Sequence, residues 1–389
     1  MSDTYFSHQP ILGKNGKLTA NRLIVHAADS RSAVAALRQV EEFWPMNQSV
    51  SFFLSLGNAR VDPALFDWLL PENVILEIRG SDLAGEAGVA TAQALRDNAA
   101  PLCIDVDPDV GNANGANLSF RFFALDGAQV PIAQMQALTV KLRQLGTPIT
   151  LNVATPTDFK ACIDSGITAA SGWFCKQPSS TMAKTLAPAQ AQIVRVLNLV
   201  RNNADVPQIE TALKQDVALS YKLLRYINSA GFGLSCEIQS FRHAVTILGY
   251  DKLNKWLSLL LVTASKDPLA PAQMHAALVR ARLMELLGQG LVDKGELDNL
   301  FITGAFSLLD VLLGVSMDKA LDAMNLPGPI SEALLQRAGS YAPFLDLALA
   351  VEVGDAKAIA TRAQALGLTA AKVNAALLQA IDFSATMAV

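Results

Sequence analysis

From about residue 9 to residue 178, short runs of β-branched and aromatic residues alternate with longer amphipathic runs; beyond residue 189 only the longer runs remain. The short runs predict strands at 23–26, 50–56, 73–78, 102–106, 118–122, 149–153 and 170–174. Between them, 32–43, 63–69, 86–98, 130–145 and 156–165 have helical spacing. Asp62-Pro63 and Thr155-Pro156 set a capping side chain before a proline in the first helical turn, which is a helix start. Strands that alternate with helices pair in parallel through crossovers. Seven or eight such units close a (β/α) barrel, and an open doubly wound sheet is the competing outcome.

The polar stretch 176–188 (KQPSSTMAKTLAP) reads as a linker. It divides the chain into a domain at 1–182 and a domain at 183–389. In the second, helices are predicted at 189–202, 206–214, 216–229, 241–248, 251–264, 271–287, 297–313, 317–324, 330–338, 341–353, 356–366 and 369–383. Gly and Pro punctuate them, as in Gly231-Phe232-Gly233 and Leu326-Pro327-Gly328-Pro329. The expected fold is therefore α/β followed by an all-helical bundle.

Composition narrows the function classes. With 51% hydrophobic and 17% charged residues and a mean hydropathy of +0.29, the chain has ample surface to bury, which excludes disorder. A formal net charge of −4 argues against binding nucleic acid through phosphate neutralisation. The densest apolar run of the second half, 256–262 (WLSLLLV), falls far short of the ~20 residues a membrane span needs. The first residues lack a basic stretch followed by an apolar one, so a cytoplasmic protein without membrane insertion is expected. The four cysteines form no CxxC pair and read as buried thiols. No P-loop, HExxH or GxSxG pattern is present. Asp105-Val106-Asp107 opens like a calcium loop, but Val110 and Ala116 stand where that loop needs Gly and Glu.

The order of segments carries more. Gln9-Pro10-Ile11 before the Asn15-Gly16 turn, the run 73–78 (NVILEI) and the run 166–178 (GITAASGWFCKQP) together resemble an EAL domain, the cyclic di-GMP phosphodiesterase barrel. The likeness spans about 9–178, shorter than a full EAL domain, so a barrel element or several loops are expected to be trimmed. The second half resembles an HDOD domain, a relative of the HD metal phosphohydrolases. Asp216, Asn228-Ser229-Ala230 and Gly249 carry that likeness. Together they resemble the bacterial EAL–HDOD tandem signalling proteins.

EAL catalysis needs oxygen ligands for two divalent metals that activate a water. The resemblance sets Arg22 at the namesake Glu, His26 at the substrate-gripping Arg and Leu54 at the metal-binding Asn. Glu77 survives, but its companion falls at Gly80. Asp105 survives and is followed by Val106. The late Glu falls at Ala154, and the Gln before the final Gly at Ser171. Glu77 and Asp105 are then vestigial carboxylates at strand ends, paired with Arg22 or Arg121. In the helical half Ser307-Leu308 replace the His-Asp pair of HD enzymes. The resemblance thus implies a degenerate barrel with no catalytic residues, no metal and no cofactor. It implies a non-enzymatic signalling scaffold that acts on protein partners. Two further readings stand beside it. One is a receptor that binds cyclic di-GMP without hydrolysis, using Arg22, Arg121 or Lys176. The other is residual metal-dependent phosphohydrolase activity.

Overall fold

The computed structural model describes residues 3–46, 51–106, 118–178, 183, 185–215, 240–262, 267–324 and 326–387. Asp216, Asn228, Ser229 and Ala230 lie outside these residues. The chain divides into two compact units, one of residues 1–177 with 349–379, the other of 178–348 with 380–389.

The first unit is a closed barrel of eight strands in sequential order. They are β1 (Tyr5–Gly13), β2 (Leu18–His26), β3 (Phe52–Ser55), β4 (Val74–Arg79), β5 (Leu102–Asp105), β6 (Phe122–Asp126), β7 (Thr147–Leu151) and β8 (Ala169–Ser171). The Asn15-Gly16 turn makes β1 and β2 a hairpin, closed by Gly13 N–H on the Lys17 carbonyl at 2.9 Å. β1 therefore runs antiparallel to both β2 and β8, whereas β2 through β8 are parallel. Tyr5 pairs with His26, so the start of β1 shares one end of the barrel with the carboxyl ends of all other strands. That end is the mouth.

Strand alternation sorts the side chains. One face of each strand supplies Ile11, Ala20, Phe53, Ile75, Cys103, Ala124, Ile149, Leu151 and Ala169, which fill the interior. The helices that cover the other face are α1 (Ser30–Gln39), α2 (Gly85–Asn98), α3 (Ile132–Leu142) and α4 (Pro156–Asp164). Asp29 caps α1 by accepting from Ser32 N–H at 2.7 Å, and Thr155 caps α4 by accepting from Asp158 N–H at 3.1 Å.

The strand expected at 118–122 is displaced to Phe122–Asp126. Phe122 pairs with Cys103 and Ala124 with Asp105 and Ile149, so this later register points apolar residues at the barrel core. The strand expected at 170–174 ends at Ser171, and Phe174–Lys176 forms a tight turn.

The remaining helices are α5 (Pro188–Arg201), α6 (Val206–Lys214), α7 (Phe241–Val262), α8 (Ala270–Gly288), α9 (Lys294–Phe306), α10 (Leu309–Leu313), α11 (Met317–Asp322), α12 (Gly328–Gln336), α13 (Ala342–Val353), α14 (Ala356–Ala365) and α15 (Ala370–Met387). Gly249 breaks α7 between the two helices expected there. The helix expected at 297–313 is split into α9 and α10. α8 is buried on almost every side, which accounts for its lack of a polar face.

At Gly304 of α9 a Cβ would fall 2.6 Å from the Cα of Ala281 on α8, so the two helices meet backbone to backbone. Gly304→Ala is expected to destabilise the helical unit by about 1–3 kcal/mol through overpacking. Denaturant unfolding followed by helix signal measures it; an unchanged midpoint would show that the helices do not touch there.

Candidate functional site at the barrel mouth

Above the apolar layer, the inward positions turn polar towards the mouth. β1 supplies Gln9, β2 Arg22, β4 Glu77 and β8 Ser171, each two residues beyond or before an interior residue on its own strand. Arg22 sits in their midst. Its Nε donates to Glu77 Oε1 at 2.7 Å and its Nη2 to Oε2 at 2.9 Å, so the planar fork meets the carboxylate on both oxygens. The side chains are 11% and 8% exposed, which makes this a largely desolvated ion pair. Nη1 points at Gln9 Oε1 at 3.5 Å and Asn152 Oδ1 at 3.4 Å. Ser171 Oγ donates to the same Gln9 oxygen at 3.1 Å, and Asn152 Nδ2 donates to Asp126 Oδ1 at 3.2 Å.

Burial pulls the Arg22 guanidinium down, but the charge and hydrogen bonds of Glu77, helped by Asp105 and Cys103, more than reverse it. Asp105 fares differently. The residue is exposed at the end of its strand, but its carboxyl faces the other charges of the mouth: desolvation, and then the charge of Glu77, raise it to about 6, although Arg22 and Arg79 pull against the rise. The Cys103 thiol, buried between them, is pushed well up by desolvation and by the same two carboxylates. It therefore stays protonated.

The other expected positions scatter. Leu54 is buried and alternates with the interior residue Phe53, so it faces the outer layer; Ser55 is the inward neighbour nearer the mouth. Val106 follows Asp105 and spends its N–H on the Ala124 carbonyl at 2.8 Å. Gly80 opens a tight turn in which Asp82 accepts from the Arg79 backbone N–H at 3.0 Å. Ala154 is exposed, and its carbonyl accepts from Gln177 at 3.2 Å. His26 faces Ser7 Oγ at 2.8 Å, and burial lowers its pKa while Asp355 opposes. Arg121 is exposed over the Phe122 ring, 5.3 Å from its centre. Lys176 is paired with Glu352 at 2.8 Å. Of the two partners expected for the carboxylates, Arg22 takes Glu77, while Arg121 lies over Phe122.

Sequence reading did not single out Gln9 as a mouth residue, nor Arg79, Asp126 or Asn152. Gln9 and Asp126 were findable from strand parity alone, whereas Asn152 is brought in by a positive φ of 56° that no pattern announces.

In the helical unit Ser307 accepts from Arg280 Nη1 at 2.8 Å and donates to the Gly304 carbonyl at 2.6 Å, while Leu308 is buried. Burial raises the Asp310 carboxyl, with Arg280 opposing. Gly249 breaks the backbone helix and leaves no side chain for chemistry.

Two divalent cations need several free oxygen donors. Here both oxygens of Glu77 are taken by Arg22, a cation in the middle of the donor set. Among the described residues no group of three or more His, Cys, Asp or Glu is placed to hold a metal ion. These residues do not fit a two-metal centre.

Comparison with known proteins adds the following. Residues 185–302 match the HDOD domain. The chain is similar to Cyclic di-GMP phosphodiesterase CdgJ of Vibrio cholerae, 28% identical over 233 residues, 60% of this chain and 54% of that protein. It is similar to Uncharacterized protein YuxH of Bacillus subtilis, 24% identical over 208 residues, 51% of this chain and 50% of that one. The chain thus spans about half the length of the curated relatives it matches. The crystal structure of the FimX EAL domain superposes with a TM-score of 0.35 at 17% identity, over 46% of this chain and 91% of that one. The relative named a phosphodiesterase overturns the expectation that the chain is not an enzyme. No described helix is long and apolar enough to cross a membrane.

The raised Asp105 carboxyl has a defined sign. Its folded value, about 6, lies above an unfolded value near 3.9. The stability it contributes is full below about 3.9 and is lost as pH rises through about 6. Asp105→Asn is expected to flatten the stability profile between about pH 4 and 6.5 and to leave the barrel more stable at pH 7. Denaturation across that range checks it; an identical slope in both proteins would place Asp105 in an ordinary solvated site. The chain thus joins a closed eight-stranded barrel to a segment, residues 185–302, that matches the HDOD domain.

Proposed function

We propose that this chain is a signal-transduction protein of the cyclic di-GMP network, with the barrel mouth as its ligand-facing end and the helical HDOD half as its protein-facing one. The observation that carries this reading is the polar set of Gln9, Arg22, Glu77, Asn152 and Ser171 gathered at one end of an otherwise apolar barrel. Barrels of parallel strands do their chemistry at that end, because the loops after the strands converge there. The name of the Vibrio relative supplies the ligand class, a nucleotide with two phosphates. Arg22 and Arg79 supply positive charge near the mouth, and their pairing with Glu77 and Asp82 limits the repulsion that bare carboxylates would exert on phosphate.

A scaffold that works chiefly through protein contacts is the second reading. It is favoured by the same ion pairs, since Arg22, Arg79 and Lys176 each already hold a carboxylate of this chain.

Calorimetry with cyclic di-GMP separates the two. The ligand-facing reading expects saturable heat in the micromolar range, weakened at least tenfold in Arg22→Met. Absence of heat together with an unmoved melting temperature would remove the ligand from the account and leave the scaffold. Incubating cyclic di-GMP with the protein and Mg²⁺ or Mn²⁺, and following linear product, reports turnover in the same sample.

A further inference from the structure

Residues 349–379 come late in the chain, yet they pack as part of the barrel unit. Three attachments of this segment fall at the mouth. Asn374, 1% exposed on α15, accepts from the Phe6 N–H at 2.9 Å and donates to the Thr4 carbonyl at 2.9 Å, so one amide satisfies the first residues of β1. Between α13 and α14, Gly354 rests on the inward-facing pair Ser7 and His26. A Cβ there would lie 3.1 Å from Ser7 Oγ and 3.7 Å from His26 Nε2. With a φ of +79°, this position accepts little but glycine.

The third attachment is electrostatic. Just past β8, Trp173 donates its indole N–H to the Glu352 carbonyl at 2.8 Å, and Lys176 Nζ donates to Glu352 Oε2 at 2.8 Å. Lys176 also lies 4.5 Å from the centre of the Trp173 ring. The Glu352 side chain is only 2% exposed, so its charge is buried against that lysine.

We propose that residues 349–379 form a strap across the rim of the barrel mouth, with Glu352 held in cis in an anion site made by Lys176 over Trp173. A phosphate-bearing ligand that uses this rim competes with Glu352 and must loosen the strap. Both ends of the strap continue in sequence into the second unit, so its release is the natural output of ligand arrival. The competition rests on the mouth being the ligand-facing end; the strap itself does not.

Glu352→Gln keeps the shape and the carbonyl that Trp173 uses, and removes only the charge. Hydrogen exchange by mass spectrometry is expected to show faster exchange in peptides covering 349–379 with the inner strands unchanged. Pyrophosphate, used as a simple anion probe, is expected to bind the variant about tenfold more tightly than the parent, the gain due to freeing one charge-assisted bond. Lys176→Met should loosen the same peptides but gain no pyrophosphate affinity. Unchanged exchange and unchanged pyrophosphate affinity in Glu352→Gln would overturn the strap. If the strap loosens as expected but neither protein binds cyclic di-GMP, the strap stands and the nucleotide reading of the mouth falls.

Discussion

The barrel mouth is organised by the forked ion pair between Arg22 on β2 and Glu77 on β4. It spans β3 and draws Gln9 from β1 and Asn152 from beyond β7 into contact with one guanidinium. Taking both charges out of water costs several kcal/mol each, which only good geometry and further hydrogen bonds repay. The two-oxygen contact and the flanking amides supply that geometry. The pair also decides what happens beside it. Beside the pair, desolvation first and the Glu77 carboxylate second raise the Asp105 carboxyl to about 6, because Arg22, committed to Glu77, compensates only in part.

Below this polar layer the interior is closed. Phe53, Ile75, Cys103, Ala124, Ile149, Leu151 and Ala169 pack the barrel axis, so a ligand cannot pass into it and must approach from the mouth. At one side of the rim stands the strap, and at the other the carboxylates of Asp105 and Asp126. Among the described residues, Arg22, Arg79 and Lys176 at the mouth each hold a carboxylate of the chain itself. A mouth built in this way is poised by exchange: an incoming anion gains contacts only by displacing an internal one.

Much of this was legible before any coordinates. The alternation of short and long runs implied a (β/α) barrel, and seven of the eight strands overlap runs marked in advance, most within a residue or two at their ends. The run before β6 misleads because Leu118, Phe120 and Phe122 alternate with Ser119 and Arg121 as a half-buried strand would, and only pairing of Phe122 with Cys103 and of Ala124 with Ile149 chooses the later register. At the site, Arg22, Glu77 and Asp105 were singled out, and Ser171 also lines the mouth. Leu54 turned outward because a shift of one residue along a strand reverses the face. Asn152 depends on a left-handed backbone, and the strap on contacts between residues far apart in sequence, 176 apart for Lys176 with Glu352 and 368 for Phe6 with Asn374. Neither leaves a local pattern.

How the mouth can be used turns on whether the Arg22–Glu77 pair is as strong as its geometry implies. A double-mutant cycle with Arg22→Met, Glu77→Gln and the double variant, read on the barrel's unfolding transition, measures it directly. A coupling of about 2 kcal/mol or more is expected, with the double variant closer to the parent than the sum of the single losses. A coupling indistinguishable from zero would mean that the two side chains do not hold each other, and the mouth would then have to be organised by something else.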